Sequence, residues 1–173
     1  HLHQTPTGST DVWNAPEAWI VVVEAIAGKL GEVDAAGAAD YAENAARFTA
    51  DIEAAAKRVE SLMATVPEPR LLITGHDAFA YFGATYDLKV RATDFISTEA
   101  ALSATELSEL AELIAAERVP VIFQDNQANP QAITSLKEAV RALNWNVEVS
   151  REELYADSLG AAPEVDTYLE VFE

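Results

Sequence analysis

The sequence predicts an α/β fold: a four-stranded parallel sheet flanked by helices and preceded by a long backbone helix. Three observations carry that expectation. Short apolar runs at Leu71–Thr74, Leu88–Ala92, Val119–Phe123 and Asn146–Val149 alternate with helix-like segments, at intervals that suit right-handed crossovers. Between Asp34 and Val66 the residues Tyr41, Ala45, Phe48, Ile52, Ala55, Val59 and Leu62 recur in steps of four and three, a narrow apolar seam on one helix. Half of the 173 residues are hydrophobic, enough to build an ordinary core. The expected divisions are a polar loop over residues 1–10, a helical segment over 11–66 and a carboxyl-terminal α/β lobe over 67–173.

Taken in order, the loop carries Pro6, Gly8, His1 and His3. The two histidines could scavenge metal, although an exposed loop is the plainer reading, and so abrupt an opening suggests a chain cut from something longer. Asn14, Pro16 and Glu17 then supply a cap, a first-turn proline and an acid at the positive helix end. Trp19, Val22, Val23, Ile26 and Leu30 predict one buried helix face, with Gly31 as its stop. The long helix that follows could approach about 45–50 Å at roughly 1.5 Å per residue, more than a compact domain needs. Pro67 and Pro69 end it.

Beyond the first strand, Asp77–Tyr86 reads as a short helix. Ser103 and Glu106 form a capping box ahead of Leu107, Leu110 and Ile114. Pro120 points to an edge or entry position in the third strand. Asn129 and Pro130 open a helix carried by Ile133, Leu136, Val140 and Leu143, and the chain closes on a short helix through Tyr168 and Phe172.

Several functions are disfavoured from the outset. A formal net charge of -18 repels nucleic acid. The absence of cysteine removes disulfides, thiolate ligands and a cysteine nucleophile. No apolar run reaches the roughly 20 residues of a membrane helix. There is no glycine-rich phosphate loop, nucleophile elbow or HExxH, so nothing argues for an enzyme. In such a sheet the chemistry belongs in the loops that follow each strand. Those loops hold Gly75-His76-Asp77, Asp94–Glu99, Gln124-Asp125-Asn126 and Glu152–Asp157. Every one carries an acid and one carries an imidazole, an ordinary ligand set for a divalent cation. With 29 acids in the chain, this pattern alone leaves His76 equally open as a ligand or as a structural histidine.

Several collinear motifs add to this reading. They are Asp11-Val-Trp-Asn-Ala-Pro-Glu17, Thr74-Gly-His-Asp-Ala-Phe-Ala-Tyr-Phe82, Ile96-Ser-Thr-Glu99, Ile122-Phe-Gln-Asp125, Tyr155-Ala-Asp-Ser-Leu-Gly160 and Tyr168-Leu169. In this order and spacing the chain resembles the metal-binding solute-binding proteins of zinc/manganese-type ABC importers, the TroA-like cluster A-I group. The resemblance implies two α/β lobes joined by a long rigid helix, with metal held between them. This chain would then be the carboxyl-terminal lobe with the linking helix, and the amino-terminal lobe would be missing.

Carried over by position, His76 and Asp157 are implied metal ligands. Asp11 is a third, standing where the family usually has histidine. Asp125 and Asp77 are implied to support the ligands rather than to touch metal. One imidazole and two carboxylates make a hard site that favours Mn or Fe on softness, whereas the affinity order favours Zn. The implied partner is an ABC permease, and the implied location is extracytoplasmic, periplasmic or cell-surface, and membrane-anchored as a lipoprotein. Without the other lobe a half-site is expected. The alternative is a cell-surface adhesion or interaction module whose metal site has degenerated, with Asp11 as the mark of that loss.

Overall fold

A computed structural model describes residues 11–75, 77–92, 103–124 and 130–173. The chain divides into two units, which meet in sequence at Val66/Pro67 and again at Ser158/Leu159.

The first unit is helical. A single 3-10 turn, Val12–Asn14, leads into α1 (Pro16–Val33), and α2 follows (Ala38–Met63). Asn14 does not cap α1. Its turn is closed by the Ala15 N–H donating to the Val12 carbonyl at 3.1 Å, which leaves Ala15 in the cap position ahead of Pro16. Nor does Gly31 stop the helix, which runs on to Val33 and ends at Asp34. Gly31 instead permits close approach, because a Cβ there would lie 3.3 Å from the Ala38 Cβ. The Asp34 carboxylate accepts from the Tyr41 hydroxyl at 2.7 Å and from the Gly37 N–H at 3.3 Å, tying the α1–α2 turn. Those bonds hold its carboxyl below the usual range, the Tyr41 bond first, and the same bond raises the Tyr41 phenol.

α2 is shorter than the pattern suggested. Its 26 residues span about 39 Å. The seam is buried at Ile52, Ala55 and Val59, whereas Leu62 is exposed. On α1 the expected buried face is also incomplete, since Ile26 and Leu30 are 53% and 45% exposed.

The second unit, which the chain enters at Pro67, holds the strands. These are β1 (Leu71–Thr74), β2 (Lys89–Ala92), β3 (Val121–Ile122) and β4 (Glu148–Val149), and they alternate with α3 (Ala80–Tyr86), α4 (Ala104–Glu117) and α5 (Pro130–Ala142). β1 pairs in parallel with β2, Leu71 opposite Lys89, and β3 pairs in parallel with β4, Val121 opposite Glu148. The two ladders meet where the Phe123 N–H donates to the Ile73 carbonyl at 3.3 Å. The strands therefore lie in the order β2-β1-β3-β4. β3 is only two residues long: Pro120 has no N–H to give, although its carbonyl accepts from Glu148 at 3.0 Å.

Side chains of β1 alternate between two clusters, as the period of a strand requires. Ile73 joins Ile114, Ile122, Leu136 and Val140 on the α4/α5 side, while Leu72 joins Phe82, Val90 and Ala78 on the α3 side. Cover on both faces explains why β1 reads as a continuous apolar run. Lys89 and Arg91 stand exposed on β2, and charges there discourage edge-to-edge pairing. The predicted capping box is present: Ser103 Oγ accepts from the Glu106 N–H, and Glu106 Oε2 accepts from the Ser103 N–H. The Ser103 hydroxyl also donates to Glu106 Oε2 at 2.7 Å, and this bond first, with that from the Ser103 N–H, holds the Glu106 carboxyl below its usual range.

After Ser158 the chain rejoins the helical unit. There a short helix, α6 (Tyr168–Phe172), is started by a second capping box between Thr167 and Glu170. Tyr168 stacks on Trp19 at 5.6 Å and on Phe172 at 5.9 Å, and meets Phe48 edge-on at 6.2 Å. Arg58 of α2 grips the Glu173 carboxylate through Nε at 3.2 Å and through Nη2. That contact holds the Glu173 carboxyl below its usual range. An acid with a depressed folded value stabilises the fold above its unfolded value, near 4.5, and loses that contribution as pH falls through the folded one. The pair is half-exposed, so its effect is modest. Thermal melts of the wild type and Glu173→Gln are expected to differ at pH 7 and to converge as pH falls below the depressed folded value. A constant gap across that range would contradict the assignment.

Candidate metal centre

The strand order fixes where a ligand could enter the α/β unit. From β1 the chain steps outward to β2, then crosses back over β1 to β3 and continues to β4. The direction reverses between β1 and β3, and in open α/β sheets ligands bind in the crevice outside the strand ends at such a point. β1 ends at Thr74 and the chain leaves it through Gly75, both buried, before Asp77, which is exposed. The loop leaving β3 begins with Phe123 and Gln124.

Asp157 is brought toward the same end by its own backbone. Beyond β4 the chain turns back, and the Leu154 N–H donates to the Gln124 carbonyl at 2.9 Å. Ala156 then packs into a buried cluster with Ala78 and Phe79. The exposed carboxylate of Asp157 thus follows directly on a residue seated against the segment that leads into α3. α3 starts at Ala80 rather than Asp77, which leaves 77–79 as irregular backbone between strand and helix.

Asp11 lies in the helical unit, half-buried, in the cap position of the Val12–Asn14 turn. Its carbonyl accepts from the Asn14 N–H at 3.5 Å. His76 and Asp125 lie outside the described residues, as do His1, His3 and the Asp94–Glu99 loop. Among the described residues no three His, Asp or Glu side chains gather closely enough to hold a cation. What the described part does bring together is the backbone on which Asp77 and Asp157 sit, through the packing of Ala156 against Ala78 and Phe79. The approach of Asp157 could not be read from spacing, since it depends on the Leu154–Gln124 bond and on the packing of a single alanine.

No helix among the described residues is long and apolar enough to cross a membrane.

Comparison with known proteins identifies the family. Among solved structures, the periplasmic zinc-binding protein TroA from Treponema pallidum superposes with a TM-score of 0.87 at 25% identity, over 99% of this chain and 63% of that one. In sequence, the Zinc-binding protein TroA of Treponema pallidum is 28% identical over 152 residues, 87% of this chain and 49% of the relative. The Manganese-binding lipoprotein MntA of Bacillus subtilis is 27% identical over 150 residues, 86% of this chain and 49% of the relative. The chain spans about half the length of the curated relatives it matches. A family model described as "Zinc-uptake complex component A periplasmic" matches residues 2–173. By that match the chain belongs to the ZnuA family of periplasmic metal receptors, which are binding proteins and not enzymes.

Proposed function

We propose that this chain is part of an extracytoplasmic receptor that captures a divalent first-row cation as cargo for an ABC importer. The observation that carries the reading is the family match over residues 2–173, and the packing of Ala156 against Ala78 and Phe79, with the Leu154–Gln124 bond, supports a place for Asp157 near the segment that leads into α3. In this reading His76, Asp157 and Asp11 are the ligands. Asp77 and Asp125 support them without touching metal. Imidazole and carboxylates together suit Zn, Mn or Fe, and two carboxylates among three ligands weight the site toward the harder ions. Bound this way the cation needs no chemistry, only a site tight enough to load and open enough to unload to a permease.

The receptor reading also requires a second lobe. α1 supports one, because Ile26, Leu30 and Val33 are exposed on one side of it. Beside them an open groove of about 310 Å³ runs past Val23 and Phe48. So much apolar surface on one helix is the mark of a face that another element covers. The relatives named above, about twice as long, have the additional chain to cover such a face.

The test is titration of the two-lobe protein with Mn²⁺ and Zn²⁺ by calorimetry. His76→Ala and Asp157→Ala are each expected to weaken binding by more than the roughly 10–100-fold that losing a supporting partner costs. Unchanged affinity in His76→Ala removes that residue from the site. Failure of both metals to bind the wild type removes the receptor reading and leaves the interaction-module alternative.

A further inference from the structure

The segment that follows β4 carries Asp157 without the help of regular structure. No helix or strand stands between β4 and the 3-10 turn at Pro163–Val165. Over residues 150–158 one side chain is fully buried, that of Ala156 at 2% exposure, while Asp157 and Ser158 beside it are exposed.

The seat of Ala156 is stiff. Its methyl group packs with Ala78 and Phe79, themselves 0% and 6% exposed. Against that contact lie Leu72 and Val90, which stand opposite each other in the β1–β2 ladder, together with Phe82 of α3. Two residues upstream the Leu154 N–H is bound to the Gln124 carbonyl, and further interactions at Ala156 and Asp157 add to the hold. In a close-packed interior a change of one methyl group at such a contact is felt by the backbone that carries it.

We propose that Ala156 is a positioning residue for Asp157: its methyl group holds the backbone beneath the carboxylate against the Ala78–Phe79 segment, which follows directly on His76 and Asp77 in the chain. Ala78, Phe79, Ala156 and Asp157 all belong to the α/β unit, so the placement of this acid is settled within one unit. This rests on the reading of Asp157 as a ligand and adds to it a cause for its placement. A carboxylate held in place before the ion arrives has less ordering to lose on binding, and the difference appears as affinity.

The experiment uses the full-length protein and four variants, Ala156→Gly, Ala156→Val, Leu136→Ala and Asp157→Asn. Ala156→Gly removes the methyl group and frees the backbone, whereas Ala156→Val overfills the seat. Leu136→Ala weakens the α4/α5 side of the sheet, in a different cluster. Two quantities are read: Mn²⁺ affinity by equilibrium dialysis, and amide hydrogen exchange of residues 154–158 with and without Mn²⁺. Ala156→Gly is expected to lose roughly 3–10-fold in Mn²⁺ affinity, the size of ordering one more group on binding. Its exchange at 154–158 is expected to be faster than wild type without metal and to return toward wild type at saturating Mn²⁺. Ala156→Val is expected to weaken binding as well, and Leu136→Ala to lower the melting temperature with affinity unchanged.

If Asp157→Asn weakens binding while both Ala156 variants bind like the wild type, the positioning role is overturned and the ligand reading stands. If Leu136→Ala weakens binding as much as Ala156→Gly, affinity merely follows stability and the inference is again overturned. If Asp157→Asn binds Mn²⁺ like the wild type, Asp157 is not a ligand and both ideas fall together.

Discussion

Gly83→Ala is expected to destabilise the protein, against the usual sign for a glycine inside a helix. Intrinsic propensity favours alanine over glycine in a helix interior by about 0.8–1.0 kcal/mol. At this position a Cβ would sit 2.4 Å from Val90 Cγ2 and 2.8 Å from the Leu88 carbonyl oxygen. Val90 has a side chain that can rotate, but the Leu88 carbonyl is backbone. The Leu88 N–H also donates to the Gly83 carbonyl at 2.9 Å, so the two segments are tied at the point where the new atom must fit. The steric term therefore outweighs propensity, and the net loss is expected near 2 kcal/mol, within the range for overpacking. For a chain of this length that is a fall of about 4–8 °C in melting temperature. A rise would show that α3 can lift from β2 at little cost. The position bears on the proposed site, because α3 and β2 follow the loop that leaves β1. Metal affinity is accordingly expected to fall together with stability in this variant.

The second large effect concerns the α4/α5 side of the sheet. Leu136 is fully buried, packed with Ile114, Ile122 and Val140 in the main cluster. Leu136→Ala removes three carbons from a position with no route for water, and a loss of about 3 kcal/mol is expected. Leu143 shares its apolar character and its apparent register on the same helix, yet it lies just past the end of α5 and is 44% exposed. Leu143→Ala is expected to change stability by less than about 0.5 kcal/mol. Urea unfolding distinguishes the two if the denaturant dependence stays constant. Equal losses would mean that the core extends past Ala142.

These two leucines also show what periodicity can and cannot tell. The pattern Ile133, Leu136, Val140, Leu143 correctly marks an amphipathic helix, but it does not mark where the helix leaves the core. α1 shows the same limit on a larger scale. Its apolar stripe is regular, while Ile26 and Leu30 are exposed because burial depends on what lies opposite. The α/β architecture was legible because parallel strands covered on both faces leave unbroken apolar runs, and Leu71–Thr74 is such a run. Gly31 was misread as a stop because a glycine needed for close helix approach and one needed for a left-handed cap look alike in sequence.

For the site, the loop after β1 stands out in the sequence, since a short apolar run gives way there to glycine, histidine and aspartate. The motif order was sufficient for the family. The return of Asp157 to that loop was not legible, and neither was the bond that the Tyr168 hydroxyl donates to the Trp13 carbonyl. Both depend on contacts between segments far apart in the chain, and no local pattern encodes such a distance.

That separation matters when the protein is made. The helical unit opens the described chain and is finished by its last segment, so α1 and α2 emerge from the ribosome well before the residues that lock them. Until α6 is synthesised, Arg58 lacks Glu173 and the Trp13 carbonyl lacks its donor. The intervening α/β unit closes through nearer contacts, and loop-closure entropy favours such contacts first. The order of assembly is thus the reverse of the order of appearance for the helical unit: α1 and α2, made before the α/β unit, are completed after it.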